Sequence, residues 1–392
     1  LALAGDVLPR HARLAGIGLV SAVDTLGWVA GPTYGALIVE ALPHAEAPWR
    51  WIFWLNLPIL AAALLLILRN VGKVGQQRVT AQRLDLAGAV LLAGALVMTN
   101  LALASGGEVG RTAASGLRAL GGTPNPLREW IPILLVGSLL CIAALLIQER
   151  QASVPILPME LLRRSRYRAS IAANFLIGAA LMVGMVNVPV VVALVRDPEA
   201  VSRDSALLLA PFTISVAVCS FVSASVASRI GHRTMVIGGA VGAGVGYLVL
   251  SLLIEPESLW PMAVGLLVAG AGIGLLLAPL GEVALDHASA GDRGAAASTA
   301  LMFRLLGMTL GISALTAAGV ARLQHLAGGL EPVVRGQGES TAEYLERQQR
   351  FIEDHAIPLA VQVIQETFLA AAGIALLSLL PILRLHRSRA AR

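Results

Sequence analysis

Three ionisable residues lie inside long apolar stretches of the chain, where their types and positions allow proton or charge chemistry: Asp24, Arg304 and Glu366. A charge at the centre of a bilayer costs about 2.5–3.5 kcal/mol on insertion scales, so each must face a partner or a water-filled cavity. Desolvation at that depth favours the neutral form of a carboxylate, which lets it load and release a proton near neutral pH. These residues are the candidates for proton coupling or for an intramembrane charge contact.

Asp24 and Arg304 each have a purely structural alternative. Asp24 is either a proton site or a hydrogen-bond acceptor that fixes its helix to a neighbour. Arg304 contacts an anionic substrate, balances a protonatable acid, or forms an ion pair that locks two helices together. Glu366 follows Pro358 by eight residues, about 12 Å along a helix, so we expect it in a hydrated vestibule on the outer side.

Composition predicts an all-α polytopic membrane protein. Hydrophobic residues make up 56% of the chain and charged residues 14%, whereas soluble domains have about 45–50% apolar and about 25% charged residues. The mean hydropathy is +0.76. Apolar stretches of membrane-spanning length predict ten helices, at residues 14–38, 51–69, 85–104, 130–148, 170–192, 206–226, 234–254, 259–281, 295–320 and 358–383. The chain opens in an apolar run, and we interpret residues 1 to about 8 as the end of a further helix.

Glycines at spacing four mark a close helix contact in the first predicted span. Gly27, Gly31 and Gly35 fall on one helical face, and Pro32 removes a backbone donor beside them. In isolation this pattern indicates an ordinary packing face; in a transporter it indicates a moving contact.

The basic residues predict the orientation of the protein in the membrane. Most of the 29 Lys and Arg residues fall in alternate loops, together with the Arg-rich C-terminal tail. The positive-inside rule makes this side cytoplasmic in a multi-pass protein of the cell membrane. The basic residues responsible for the net charge of +5 then line one membrane face, so this charge requires no nucleic-acid partner.

The sequence contains no motif typical of an enzyme. HExxH, Walker and CxxC patterns are missing, Cys141 and Cys219 lie in different apolar stretches, and the seven histidines show no paired spacing. We therefore expect no enzymatic activity, no metal and no cofactor. The energy for pumping would come from an ion gradient, such as that of protons.

Five local runs carry a resemblance to a known family. They are DVLPRHARLAG at the start, GWVAGPTYG from Gly27, WRWIFWLNLPI from Trp49, SRIGHR from Ser228, and DRGAAASTALMFRLLGMTLG from Asp292. With them the chain resembles the major facilitator superfamily and, within it, the drug:proton antiporters with fourteen helices. The cytoplasmic loop motifs of that family correspond here to Arg229, Gly231, Arg233 and Arg293, although Ser228 stands where the motif has an acid.

The resemblance implies two helix bundles with ten complete transmembrane helices plus the end of one more. Residues 1–69 would hold the end of helix 4 with helices 5–6, residues 70–150 a linker and an extra helix pair, and residues 151–392 a C-terminal six-helix bundle with an outer loop at 321–357. It implies proton-coupled efflux of small hydrophobic or cationic molecules by alternating access. Alternatives are a major-facilitator transporter of one metabolite, lipid or siderophore, and a transport-dead sensor or enzyme scaffold.

Overall fold

The computed structural model describes residues 47–71, 85–106, 128–152, 159–197, 200–255, 258–286, 293–328 and 340–386, together with a few separate positions before residue 47. Regular structure in these ranges is helical throughout. Nine helices in them are long and apolar enough to cross a membrane. They match nine of the ten predicted spans, whereas most of the predicted span at 14–38 lies outside the described residues.

Twelve helices are numbered here in chain order. They are α1 (Arg50–Val71), α2 (Leu86–Gly106), α3 (Ile131–Gln151), α4 (Met159–Arg163), α5 (Ser165–Val195), α6 (Val201–Ile230), α7 (His232–Leu252), α8 (Met262–Asp286), α9 (Arg293–Ala327), α10 (Thr341–Phe351), α11 (Ile357–Leu377) and α12 (Leu379–His386). A 3-10 turn precedes α3, and a π turn, Ile352–Ala356, joins α10 to α11.

Several helices extend past the apolar stretch that predicted them. α9 has 35 residues, about 52 Å, whereas a hydrocarbon core is about 30 Å thick. At the start of α10, the Ser340 hydroxyl accepts from the Glu343 amide at 3.2 Å, and the Glu343 carboxylate accepts in return from the Ser340 amide at 3.0 Å. Hydropathy locates the membrane-sized part of a helix, while caps and backbone hydrogen bonds decide where the helix ends.

One hydrophobic core joins α5, α6, α7, α8, α11 and α12. At its centre the fully buried Tyr247 stacks on Phe368, with ring centroids 6.3 Å apart, and its hydroxyl donates to the carbonyl of Ala180. α7 and α8 approach each other closely because Gly246 lies against the backbone of Ala269, where a side chain would overlap it. These contacts join α7 to α5, α8 and α11, and those three helices pack against α9.

The direction of the chain defines two ends of this bundle. α5, α7 and α9 begin at the end marked by Tyr167, and α6 and α8 return to it. Gly231 makes the single-residue turn from α6 to α7 at that end with φ 86°, a conformation that favours glycine because it has no Cβ. We call this the Tyr167 end and the opposite one the Glu366 end.

α2 and α3 form a helical hairpin held by polar contacts. The hydroxyls of Thr99 and Ser138 are 2.6 Å apart, and Ser138 donates to the carbonyl of Ala95 at 3.0 Å. At the start of α2, one carboxylate oxygen of Asp85 accepts from the backbone of Gly88 and from the side chain of Gln148 on α3. In a membrane the hydrophobic effect does not drive helices together, so polar contacts of this kind contribute to helix association.

The hairpin is docked on α9 by a hydrogen bond. Ser313 donates through its hydroxyl to the side-chain oxygen of Asn100 on α2, at 2.9 Å. The Asn100 amide nitrogen donates to Leu96 within its own helix. Both polar groups of Asn100 are therefore occupied at the contact with α9.

We expect Asn100 and Ser313 to be energetically coupled. In a double-mutant cycle of Asn100→Ala and Ser313→Ala, measured by thermal unfolding in detergent, the coupling should be about 1 kcal/mol, the size of interhelical hydrogen bonds in membranes. Thr309→Ala is the matched control, because the Thr309 hydroxyl bonds to Leu305 and Leu306 of its own helix. Additive effects of the Asn100 and Ser313 substitutions would contradict the docking.

Candidate functional site: two arginines on helix α9

The structure describes the predicted charged residues unequally. Arg304 on α9 and Glu366 on α11 lie in described helices, whereas Asp24 and Pro32 lie outside the described residues. Arg304 contacts Asn174 on α5, whereas Glu366 contacts Arg322 on α9 and Gln362 on its own helix. The roles of all three residues remain predictions.

Arg304 contacts a neutral amide on the neighbouring helix. Its Nε and one terminal nitrogen both donate to the side-chain oxygen of Asn174 on α5, at 3.2 and 3.0 Å. Asn174 is buried, with 1% of its surface exposed, and Arg304 is half-buried. Arg304 has further interactions besides this one, and the Asn174 oxygen accepts two of its hydrogen bonds.

Asn174 belongs to a buried polar chain that crosses three helices. Its amide nitrogen donates to the carbonyl of Ser170 at 3.0 Å, and the Ser170 hydroxyl donates to the carbonyl of Leu280 on α8 at 3.1 Å. Nearer the Tyr167 end, the Tyr167 hydroxyl donates to Ala296 on α9 at 3.1 Å. Buried polar groups are hydrogen-bonded in native proteins, and here the bonds connect α9, α5 and α8.

Small residues bring α5 and α9 into backbone contact around Arg304. A Cβ on Gly178 would overlap the Arg304 carbonyl, and one on Gly307 would overlap the carbonyl of Phe175. Farther along, a Cβ on Gly311 would lie 2.5 Å from that of Ala179. Because the helices run parallel and touch over several turns, Arg304 cannot change its depth relative to Asn174 without separating them.

Arg322, farther along α9 than Arg304, pairs with Glu366. Arg322 donates through Nε and a terminal nitrogen to the two carboxylate oxygens of Glu366, at 3.0 and 3.2 Å. The two side chains are 43% and 39% exposed, and Gln362 adds a third hydrogen bond to the carboxylate. This bidentate ion pair joins α9 to α11 at the Glu366 end.

A neighbouring contact places the pair near the rim of the bundle. Gln365 donates to the carbonyl of Ile254, which follows the end of α7 at Leu252. Glu366 is therefore level with the loop between α7 and α8. An exposed pair at that level fits the predicted hydrated vestibule, which stays a prediction.

Sequence reasoning singled out Arg304 and Glu366 but missed Arg322 and Asn174. Arg322 lies just beyond the predicted span 295–320, in what we expected to be an outer loop, and Asn174 is uncharged. One signal was available, because Arg304 and Arg322 are eighteen residues apart, which is five turns, about 27 Å, along the same side of a helix. An asparagine in an apolar stretch is a second signal, since its polar groups need partners.

The glycine and loop motifs have few described neighbours. A Cβ on Gly35 would lie 3.4 Å from Ile52 on α1, and one on Gly27 or Gly31 meets no described atom within 4 Å. Arg229 and Arg233 are exposed on either side of the Gly231 turn, and Arg293 begins α9 at the same end of the bundle. Within the described part of the chain, no group of three acidic, Cys or His residues is placed to hold a metal.

Comparison with known proteins gives a consistent result. The family model of the Major Facilitator Superfamily matches residues 1–312. A triacylglyceride transporter of Mycolicibacterium hassiacum is 31% identical over 340 residues, covering 83% of this chain and 59% of that protein. One of Mycolicibacterium smegmatis is 30% identical, with 83% and 57% covered.

A probable triacylglyceride transporter of Mycobacterium leprae is 29% identical over 350 residues, covering 85% of this chain and 64% of that protein. The chain thus spans about three fifths of the length of these curated relatives. The match to the family model extends over most of the chain, and the helical architecture agrees with it. The protein is a multi-pass membrane protein and belongs to the Major Facilitator Superfamily.

Proposed function

We propose that this protein is a secondary active transporter of a lipid of the triacylglyceride class. The observation that carries the proposal is the similarity to proteins named triacylglyceride transporters over more than four fifths of the chain. This favours the lipid alternative raised from the sequence over the efflux of small cationic drugs.

The described surface is apolar along several helices, which contact with the bilayer requires and contact with an acyl chain would also require. Acyl chains need apolar surface, and a neutral lipid offers only ester oxygens for directional contacts. The bundle exposes large apolar side chains along α6, α7 and α8, among them Ile214, Val218, Val245, Val264 and Leu267. Recognition of a neutral lipid would depend mainly on apolar area.

We further propose that transport occurs by alternating access between two bundles. In this scheme residues 151–392 form the C-terminal bundle, residues 70–150 carry the extra hairpin, and residues 1–69 belong to the N-terminal bundle. The Tyr167 end would be cytoplasmic, together with the basic C-terminal tail. Protons are the proposed coupling ion, with Asp24 as the acid that loads and releases them.

Drug efflux is the second candidate function. It is favoured by the GWVAGPTYG run, which resembles the antiporter motif of the drug:proton family. Both candidates need a gradient and differ in cargo, so a single assay separates them.

The test is transport by the intact gene product in proteoliposomes with an imposed pH gradient. We expect a fluorescent triacylglyceride analogue to move in a gradient-dependent manner and ethidium to move slowly or not at all. Empty liposomes and a protonophore are the controls. Gradient-driven ethidium movement without movement of the lipid analogue would replace the lipid proposal by drug efflux.

Gly31→Leu should abolish transport without loss of expression. A bulky side chain in the Gly27, Gly31 and Gly35 face would keep the two bundles from closing against each other, whereas no described atom opposes it within the chain's own fold. Transport of the lipid analogue and the amount of protein in the membrane are measured together. Gly373→Leu, at another glycine where an added Cβ would meet no described atom within 4 Å, is the control, and transport by Gly31→Leu at the rate of that control would contradict a sealing role.

A further inference from the structure

A short basic segment at the Tyr167 end, residues 159–168, consists of α4 and the start of α5. We call it the basic elbow. Its sequence, MELLRRSRYR, contains four arginines and a single acid. Arg163, Arg164 and Arg168 are exposed, and Arg166 is partly buried. The basic elbow therefore presents positive charge to its surroundings.

The basic elbow is packed against the bundle on both sides of its turn. Leu161 on α4 is 3% exposed and Tyr167 on α5 is fully buried, and both belong to a cluster with Ile171 and Ala296. The Tyr167 hydroxyl also donates to the carbonyl of Ala296 at 3.1 Å. The chain turns between the two helices at Arg164, where the backbone is extended with φ −76° and ψ 118°. The arginines are therefore attached to a packed part of the bundle.

The basic elbow lies at the border of the membrane-spanning part of α5. This helix has 31 residues, about 46 Å, whereas the hydrocarbon core is about 30 Å thick. The apolar stretch predicted from the sequence begins at residue 170, which is about 3 Å along the helix from Arg168. Arg168 and the residues before it are therefore at the level of the lipid headgroups.

We propose that the basic elbow binds the headgroup of an anionic phospholipid in the leaflet at the Tyr167 end, with Arg163 and Arg168 as its main contacts. A guanidinium group forms paired hydrogen bonds with phosphate oxygens, and basic clusters directly beside a transmembrane helix attract anionic lipids. Arg164 and Arg166 have interactions of their own, so the assignment does not depend on them. Because a triacylglyceride is uncharged, this phospholipid is a bound partner of the transporter and differs from the proposed cargo.

The alternative is that these arginines only orient the protein during membrane insertion. The positive-inside rule requires basic residues on one side of the membrane, whatever the conformation of their loop. It predicts no preference of the folded protein for one phospholipid over another. A headgroup site predicts such a preference and requires charges on a fixed segment, and the packing of Leu161 and Tyr167 favours this second interpretation.

The experiment measures how phosphatidylglycerol raises the apparent melting temperature of the full-length protein in a neutral detergent. Phosphatidylcholine, which has no net charge, is the reference lipid. A ligand that binds only the folded state stabilises it increasingly with concentration, so the titration gives an affinity. Each basic residue near an anionic surface contributes about fivefold to binding. We therefore expect R163Q/R168Q to bind phosphatidylglycerol about tenfold or more weakly than wild type, with unchanged melting temperature in the absence of the lipid.

The matched control is R203Q/R350Q, which removes two exposed arginines from the opposite end of the protein and should bind phosphatidylglycerol as wild type does. Equal affinities of R163Q/R168Q and wild type would overturn the proposal, and so would an equal loss in the control. R168Q alone, with an expected loss of about fivefold, provides the same test if the double variant does not fold. Inorganic phosphate at the same concentration should not stabilise the protein, and a full effect of phosphate would replace the lipid by a free anion. The result is independent of the cargo, because no transport is measured.

Discussion

Gly307→Ala is expected to separate α9 from α5 and to lower the thermal stability of the bundle. The added Cβ would overlap the carbonyl of Phe175, which belongs to the backbone of a packed helix and cannot move aside as a flexible side chain would. Overpacking of this kind costs about 1–3 kcal/mol. Gly178→Ala, which would overlap the carbonyl of Arg304, should have the same effect.

The matched control for both changes is Gly373→Ala on α11. A Cβ at Gly373 meets no described atom within 4 Å, and alanine favours a helix over glycine by about 1 kcal/mol. We therefore expect unchanged or slightly raised stability there. Apparent melting temperatures of purified protein in one detergent provide the measurement, and equal values for Gly307→Ala and Gly373→Ala would show that the close α5–α9 contact is absent in the membrane protein.

The sequence predicted the spans well because hydrophobic length is set by the bilayer. Nine described helices lie on nine predicted stretches, since a segment that crosses lipid must satisfy its backbone internally. Helix ends were predicted less well. α9 continues to Ala327 and α5 begins at Ser165, because helical hydrogen bonds do not stop where hydrophobicity does.

The site was only partly predictable, for a different physical reason. Charges inside apolar stretches are conspicuous, so Arg304 and Glu366 could be found from the sequence. Their partners depend on how helices pack, and the partner of Arg304 is the uncharged Asn174 on a helix 130 residues away along the chain. The substrate was less predictable still, because apolar surfaces that suit a drug and an acyl chain have similar compositions.

Arg304 and Arg322, which both lie on α9, should differ strongly in their importance for transport. Arg304→Ala removes a charge held between packed helices and leaves the buried oxygen of Asn174 without this donor. We expect gradient-driven transport of the lipid analogue to fall about tenfold to a hundredfold, the range of typical coupling energies. Arg322→Ala removes an ion pair whose side chains are about two fifths exposed, and we expect the rate to stay within about threefold of wild type.

The contrast tests whether depth, rather than charge alone, decides the function of an arginine on this helix. Arg350→Ala provides a baseline, because Arg350 is 71% exposed on the polar helix α10 and pairs with Glu346 one turn away. For each variant, the initial transport rate is divided by the amount of folded transporter. Differences in expression then do not affect the comparison. If Arg322→Ala stopped transport as completely as Arg304→Ala, the pair with Glu366 would take part in the transport cycle, and the functional site would extend along α9 from the packed contact with α5 to the rim.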